Sequence, residues 1–130
     1  MSVAVAGDQR EGRLARLRAE LRSANLDALL ISSRANTRYL TGFSGSSALL
    51  LVSQATAVLI TDFRYRVQGQ AEAGAVAEVE IEGTSLWARL WSVLPRLGGV
   101  VQVGFESQHL LHVDYQRVVN LASLVVDTRH

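Results

Sequence analysis

Residues 48–60 read Ala-Leu-Leu-Leu-Val-Ser-Gln-Ala-Thr-Ala-Val-Leu-Ile, two apolar runs at 48–52 and 57–60 broken by a few residues around Gln54 and Ala55. Runs this short, separated by a turn-length gap, predict an antiparallel hairpin. Upstream, Leu14, Leu17 and Leu21 recur at three- and four-residue spacing among Arg13, Arg16, Arg18, Glu20 and Arg22, the pattern of an amphipathic helix over about 9–24. Asn25 ends it, 28–32 reads as a buried strand, and 33–40 as a turn and short helix. Residues 41–46, rich in small side chains, form a loop.

Downstream of the hairpin, the stretch to Ala73 suits a helix closed by Gly74 as a C-cap glycine, and 76–81 suits a half-exposed strand. Thr84 or Ser85 can cap a helix carrying Leu86, Leu90, Trp91 and Leu94, with Pro95 in its last turn and Gly98-Gly99 closing it. A strand over 100–105, a helix over 114–121 and a last strand over 124–126 complete the pattern. Helices alternating with strands around one hairpin imply an α/β domain with a mixed sheet. Residues 1–8 show no period and are expected to form a disordered leader, leaving 9–130 as the domain.

Composition narrows the chemistry. A chain of 130 residues, 48% hydrophobic and 19% charged with a single proline, is one globular domain with a real core. Thirteen basic against twelve acidic residues leave a net charge of +1, so no basic field exists to hold nucleic acid. All thirteen are arginine, which removes Schiff-base and P-loop lysines. The absence of cysteine excludes disulfides, thiolate nucleophiles and zinc-thiolate sites, and accords with a reducing cytosol. No secretory apolar region precedes the polar residues 7–13, and the run at 48–52 is far short of a membrane span.

Ligands gather beyond the carboxyl ends of strands in open α/β sheets, which directs attention to 36–46, 62–65 and 106–109. Asp62 and Arg64, two apart, can pair, and Asp62 can cap the helix that follows. His109 and His112 have a spacing open to metal ligands but no third partner, so they read as satisfied or exposed histidines. The glycine and serine loop at 42–47 lacks the ending of a P-loop, and no serine lies in a nucleophile elbow. Trp87 and Trp91, four apart, read as core or interface residues. No self-contained active site emerges from the residues alone.

Four motifs in order go further: Asp27-Ala28-Leu29-Leu30-Ile31, the run Asn36-Thr37-Arg38-Tyr39-Leu40-Thr41-Gly42-Phe43-Ser44-Gly45-Ser46, Leu59-Ile60-Thr61-Asp62-Phe63-Arg64-Tyr65, and Val103-Gly104-Phe105-Glu106. Together they resemble the N-terminal domain of the Xaa-Pro peptidases, the creatinase, prolidase and aminopeptidase P family. The resemblance runs from the first helix to Arg129 and implies a three-layer α/β/α domain with a mixed sheet. It further implies a cytoplasmic Xaa-Pro dipeptidase or aminopeptidase whose catalytic centre, two divalent metal ions, manganese by expectation, lies in a separate C-terminal pita-bread domain.

None of that centre's ligand motifs occurs in this sequence, which ends about where the linker to such a domain is expected. No catalytic residue, metal ligand or cofactor is therefore assigned to the chain, which is expected to be inactive alone. The implied partners are its own catalytic domain, a second copy in a homodimer, and a proline-containing peptide, with neither nucleic acid nor membrane. Carried over by motif, Asn36, Arg38, Tyr39 and Phe43, with Asp62, Arg64 and Tyr65, are the candidates for the substrate mouth or an interface. Arg64 suits a carboxylate of substrate or of a neighbouring subunit, and the three rings suit a proline or an interface. The contrasting expectation is a stand-alone α/β binding or regulatory module in which these residues only hold their loops in place.

Overall fold

A computed structural model describes residues 8–97, 100 and 102–105. Helix α1 spans Arg10–Ser23 and buries Leu14, Leu17 and Leu21, the three leucines of the periodic pattern. It closes on Asn25, whose φ of 60° is left-handed. The Leu26 amide then reaches back to the Leu21 carbonyl and the Asn25 amide to that of Arg22, so two carbonyls at the helix end are satisfied. Strand β1 (Ala28–Ile31), helix α2 (Arg34–Thr41), strands β2 (Ala48–Ser53) and β3 (Ala57–Asp62), and helix α3 (Arg66–Ala73) follow. Strand β4 (Glu78–Glu82), helix α4 (Leu86–Val93) and strand β5 (Val103–Phe105) complete the described elements.

The sheet order is β4-β3-β2-β1-β5. The hairpin sits at its centre, with Leu50 opposite Leu59 and Ile31 opposite Leu50, both antiparallel. The outer pairs β3 with β4 and β1 with β5 are parallel, so β2 alone runs against the others. Consequently the carboxyl ends of β1, β3, β4 and β5 lie at one end of the sheet. The loop entering β2 joins them there.

Side-chain alternation divides the core in two. Leu29, Ile31, Leu50, Val52 and Leu59 pack with the α1 leucines, Leu40, Phe43 and Ala73, while Leu30, Leu49, Leu51, Val58 and Ile60 pack with Leu90, Val93 and Leu94 of the opposite layer. Burial on both faces explains why the central strands are continuous apolar runs. The result is the expected three-layer α/β/α arrangement with a mixed sheet.

Several details differ from the sequence reading. Gly74 is the C-cap of α3 as expected, and its conformation is right-handed, φ −61°. The amides of Val76 and Ala77 both return to the Ala73 carbonyl, and this extra turn moves the strand from 76–81 to Glu78–Glu82. Ser85 caps α4 by accepting the Ala88 amide, whereas Thr84 donates to Glu82. Trp87 and Trp91 are 46% and 57% exposed, so neither is a core residue of this chain. Their places are one position round from the inward stripe of Leu86, Leu90, Val93 and Leu94, about 100° away on the helix. Asp8 pairs with Arg10 at 2.8 Å. The expected helix at 114–121, the strand at 124–126 and the histidines at 109 and 112 lie outside the described residues.

Candidate functional site

At the carboxyl end of β1 and β3, the 42–47 loop is fixed by groups from four elements. Ser33 caps α2 by accepting the Asn36 amide at 3.0 Å, and the helix ends at Gly42, whose φ of 85° favours glycine. Phe43 then turns inward, fully buried, and its ring meets that of Tyr65 edge to face at 5.3 Å between centroids. Gly45 lies against both rings: a Cβ there would run into Phe43 and come within 2.9 Å of Tyr65.

The polar anchors are equally specific. The Ser44 amide donates to Glu72 Oε1 at 2.8 Å, and its hydroxyl is 3.1 Å from each Glu72 carboxylate oxygen. Gln68 donates to the Ser44 hydroxyl at 3.0 Å and to Glu72 at 3.2 Å. Arg34 donates twice to the Ser44 carbonyl, at 3.1 and 2.7 Å. Tyr65 receives the Ser46 amide at 3.2 Å and shares a 2.7 Å hydrogen bond with its hydroxyl. The Thr61 hydroxyl donates to the Ser47 carbonyl. The Ser44 amide, first of all, holds the Glu72 carboxyl below its usual range, and the Ser46 hydroxyl lowers the Tyr65 phenol.

Beyond β3, Asp62 caps a single 3-10 turn, Phe63–Tyr65. Its Oδ1 accepts the Arg64 amide and Nε, each at 3.0 Å, and Oδ2 accepts NH2 at 2.8 Å. This bidentate clasp holds the Asp62 carboxyl below the usual range. The guanidinium carbon stands 5.0 Å from the Tyr65 ring centroid. Arg64 remains 65% exposed, and its NH1 has no hydrogen-bond partner among the described residues. Phe63 and Val67 flank it, 63% and 75% exposed.

Of the seven sequence candidates, Phe43, Asp62, Arg64 and Tyr65 form one contiguous group. Asn36 and Phe43 are buried, so they present no surface in this chain. Tyr39 belongs to the contact between α1 and α2: the Arg13 guanidinium lies 4.2 Å from its ring and donates to its carbonyl at 2.9 Å. Arg38 is exposed, and its charge helps to hold Glu72 down. Sequence reasoning missed Glu72, Gln68 and Arg34. The carboxylate, amide and guanidinium that fix the loop act across gaps of 28, 24 and 10 residues, beyond any local pattern.

Chemically the surface offers donors. Asp62 and Glu72 are both engaged by donors, and no group of three or more His, Cys, Asp or Glu among the described residues is placed to hold a metal ion. The described residues therefore do not fit a dinuclear metal centre. What the site exposes is the free edge of Arg64 beside the hydroxyls of Tyr65 and Ser46.

The elements define a mixed α/β/α domain with the loops after β1 and β3 gathered at one end of its sheet. Residues 13–129 match the creatinase/prolidase N-terminal domain family. The chain belongs to that family. It is 32% identical over 116 residues to an uncharacterized peptidase, YqhT, of Bacillus subtilis strain 168, covering 87% of this chain and 32% of the relative. The chain thus spans about a third of that relative's length.

Among solved structures, the N-terminal domain of the cytoplasmic peptidase PepQ from Mycobacterium tuberculosis H37Rv is 40% identical with a TM-score of 0.65, matched over 85% of this chain and 84% of that one. An Xaa-Pro aminopeptidase from Streptococcus pyogenes is 30% identical with a TM-score of 0.64, over 88% and 86% of the two chains. No described helix is long and apolar enough to cross a membrane.

Proposed function

We propose that this domain serves an Xaa-Pro peptidase of the cytoplasm as its non-catalytic N-terminal part, walling the active-site mouth and contributing to a homodimer. Cleavage of the bond preceding proline is assigned to a C-terminal domain carrying two divalent metal ions, manganese by expectation. The observation that carries this reading is the family match over 13–129 in a chain whose curated relative, itself called a peptidase, is about three times as long. Asp62 and Glu72 accord with it, since both carboxylates accept hydrogen bonds that hold the turn after β3 and the 42–47 loop.

Arg64 is the residue best placed to meet a carboxylate of substrate or of a neighbouring subunit. Asp62 grips one edge of the guanidinium and leaves the other to solvent, so a planar donor is oriented before any partner arrives. The test is hydrolysis of Ala-Pro with added manganese, by the purified 130-residue chain and by the same chain carrying its proposed catalytic domain. The expected result is turnover only in the second. Turnover by the isolated chain would place the chemistry in this domain and end the proposal.

A further inference from the structure

Six residues, two of them glycine and three serine, link α2 to β2, and such a loop has little order of its own. Two of its anchors, Tyr65 and Glu72, share one feature. Tyr65, which holds Ser46, immediately precedes α3, and Glu72, which holds Ser44, lies near the end of the same helix. The helix α3 and the residue that opens it thus grip the loop at two points two residues apart in sequence. Arg64 is attached to the same start of α3 through the Phe63–Tyr65 turn. Loop and guanidinium are therefore held as one body.

We infer that Glu72 is the positioning residue of the mouth: by fixing Ser44 to the end of α3 it brings Ser46 onto Tyr65 and presents the 42–47 loop to substrate in one conformation. Of the anchors, Glu72 is the one that accepts a loop amide with a charged oxygen, the stronger kind of hydrogen bond. Gln68, one turn earlier on α3, donates to both Ser44 and Glu72 and keeps the carboxylate turned toward the loop. Phe43 anchors the loop from the apolar side and Arg34 holds the Ser44 carbonyl from α2, but neither engages the Ser44 amide, which Glu72 alone of these groups accepts. Glu72 touches no substrate in this scheme and acts through Ser44 and Ser46.

The inference rests on the mouth reading above for its functional consequence, and its structural half can be tested without it. In the 130-residue chain, Glu72→Ala removes both carboxylate oxygens, while Glu72→Gln keeps one acceptor for the Ser44 amide without the charge. Both residues are good helix formers, so α3 tolerates them. Amide hydrogen exchange at Ser46 should rise about tenfold or more in the alanine variant. It should rise by an intermediate factor in the glutamine variant, while Leu50 and Leu59 in mid-sheet stay protected. The Tyr65 phenol should titrate higher as Ser46 leaves it.

Equal Ser46 exchange and an unmoved Tyr65 in all three proteins overturn the inference. Should alanine also loosen Leu50 and Leu59, the glutamine variant decides by the same two readouts. In the protein carrying the proposed catalytic domain, Glu72→Ala should raise KM for Ala-Pro several-fold with kcat little changed. A loosened loop with KM unmoved leaves Glu72 as the anchor and removes the mouth reading instead.

Discussion

Asp8-Gln9-Arg10 and Asp62-Phe63-Arg64 are the same device used twice. In each, aspartate Oδ1 accepts the arginine amide at 3.0 Å and the Nε at 2.9 or 3.0 Å, while Oδ2 accepts NH2 at 2.8 Å. The difference lies in the remaining nitrogen. Arg10 NH1 donates to the carbonyls of Thr41 and Glu72, at 2.7 and 2.6 Å, where α2 and α3 end. Arg64 NH1 has no such acceptor among the described residues, and the side chain is 65% exposed against 21% for Arg10. An aspartate two residues before an arginine orients the guanidinium, and what the free edge meets decides whether the clasp builds the fold or offers a contact.

Removing Arg10 gives the largest expected effect. Arg10→Ala leaves two helix-end carbonyls without their charged donor, and urea denaturation of the chain should show a loss of about 2–3 kcal/mol. Lysine at this position should recover only part of it, because an ammonium lacks the fork that holds Asp8 and the carbonyls together. Next comes Gly42→Ala. The left-handed φ of 85° and the Arg10 NH1 only 3.1 Å from a built Cβ predict a cost of about 1–2 kcal/mol by the same measurement. A Gly42→Ala protein as stable as the parent would show that the Arg10 clasp does not constrain this turn.

Acid separates the clasps more gently. The side-chain bond from Arg10 brings Asp8 down to about 2 from an ordinary 3.8, and the bond from Arg64 lowers Asp62 as well. Because both folded values are depressed, the stability each contributes is complete above the unfolded value and fades as pH falls through the folded one. Urea midpoints should decline from about pH 4 toward pH 2, and Asp8→Asn should flatten that decline more than Asp62→Asn. The reverse order would mean that the exposed clasp carries more of the fold than its geometry allows. Smallest of all, Arg64→Ala should lower the urea midpoint of the isolated chain only slightly, since the clasp it removes is exposed.

The two clasps also show what sequence can reveal. The pairing of Asp62 with Arg64 was legible because the residues follow a clear apolar strand, which fixes where to look. Asp8 and Arg10 have the same spacing but precede the first periodic residue, so nothing marked them. The hairpin, the leucine stripe of α1 and the order of elements were legible because burial on one or both faces imposes periodicity. Phe43 stands alone among small residues, and its burial against Tyr65 is a tertiary fact. The outward turn of Trp87 and Trp91 depends on which of two adjacent stripes α4 buries, and the leucines and Val93 win that face. Glu72 meets Ser44 across 28 residues, a contact that no local pattern encodes.

In the complete peptidase the free edge of Arg64 is proposed to face a partner, either substrate or a second subunit. Steady-state hydrolysis of Ala-Pro by the protein carrying its proposed catalytic domain, parent against Arg64→Ala, with the dimer fraction measured by sedimentation on the same samples, tests it most directly. A raised KM or a weakened dimer is expected from a substitution that leaves the isolated domain nearly as stable as before. Unchanged KM together with unchanged dimerisation would contradict it and reduce Arg64 to a solvated surface residue.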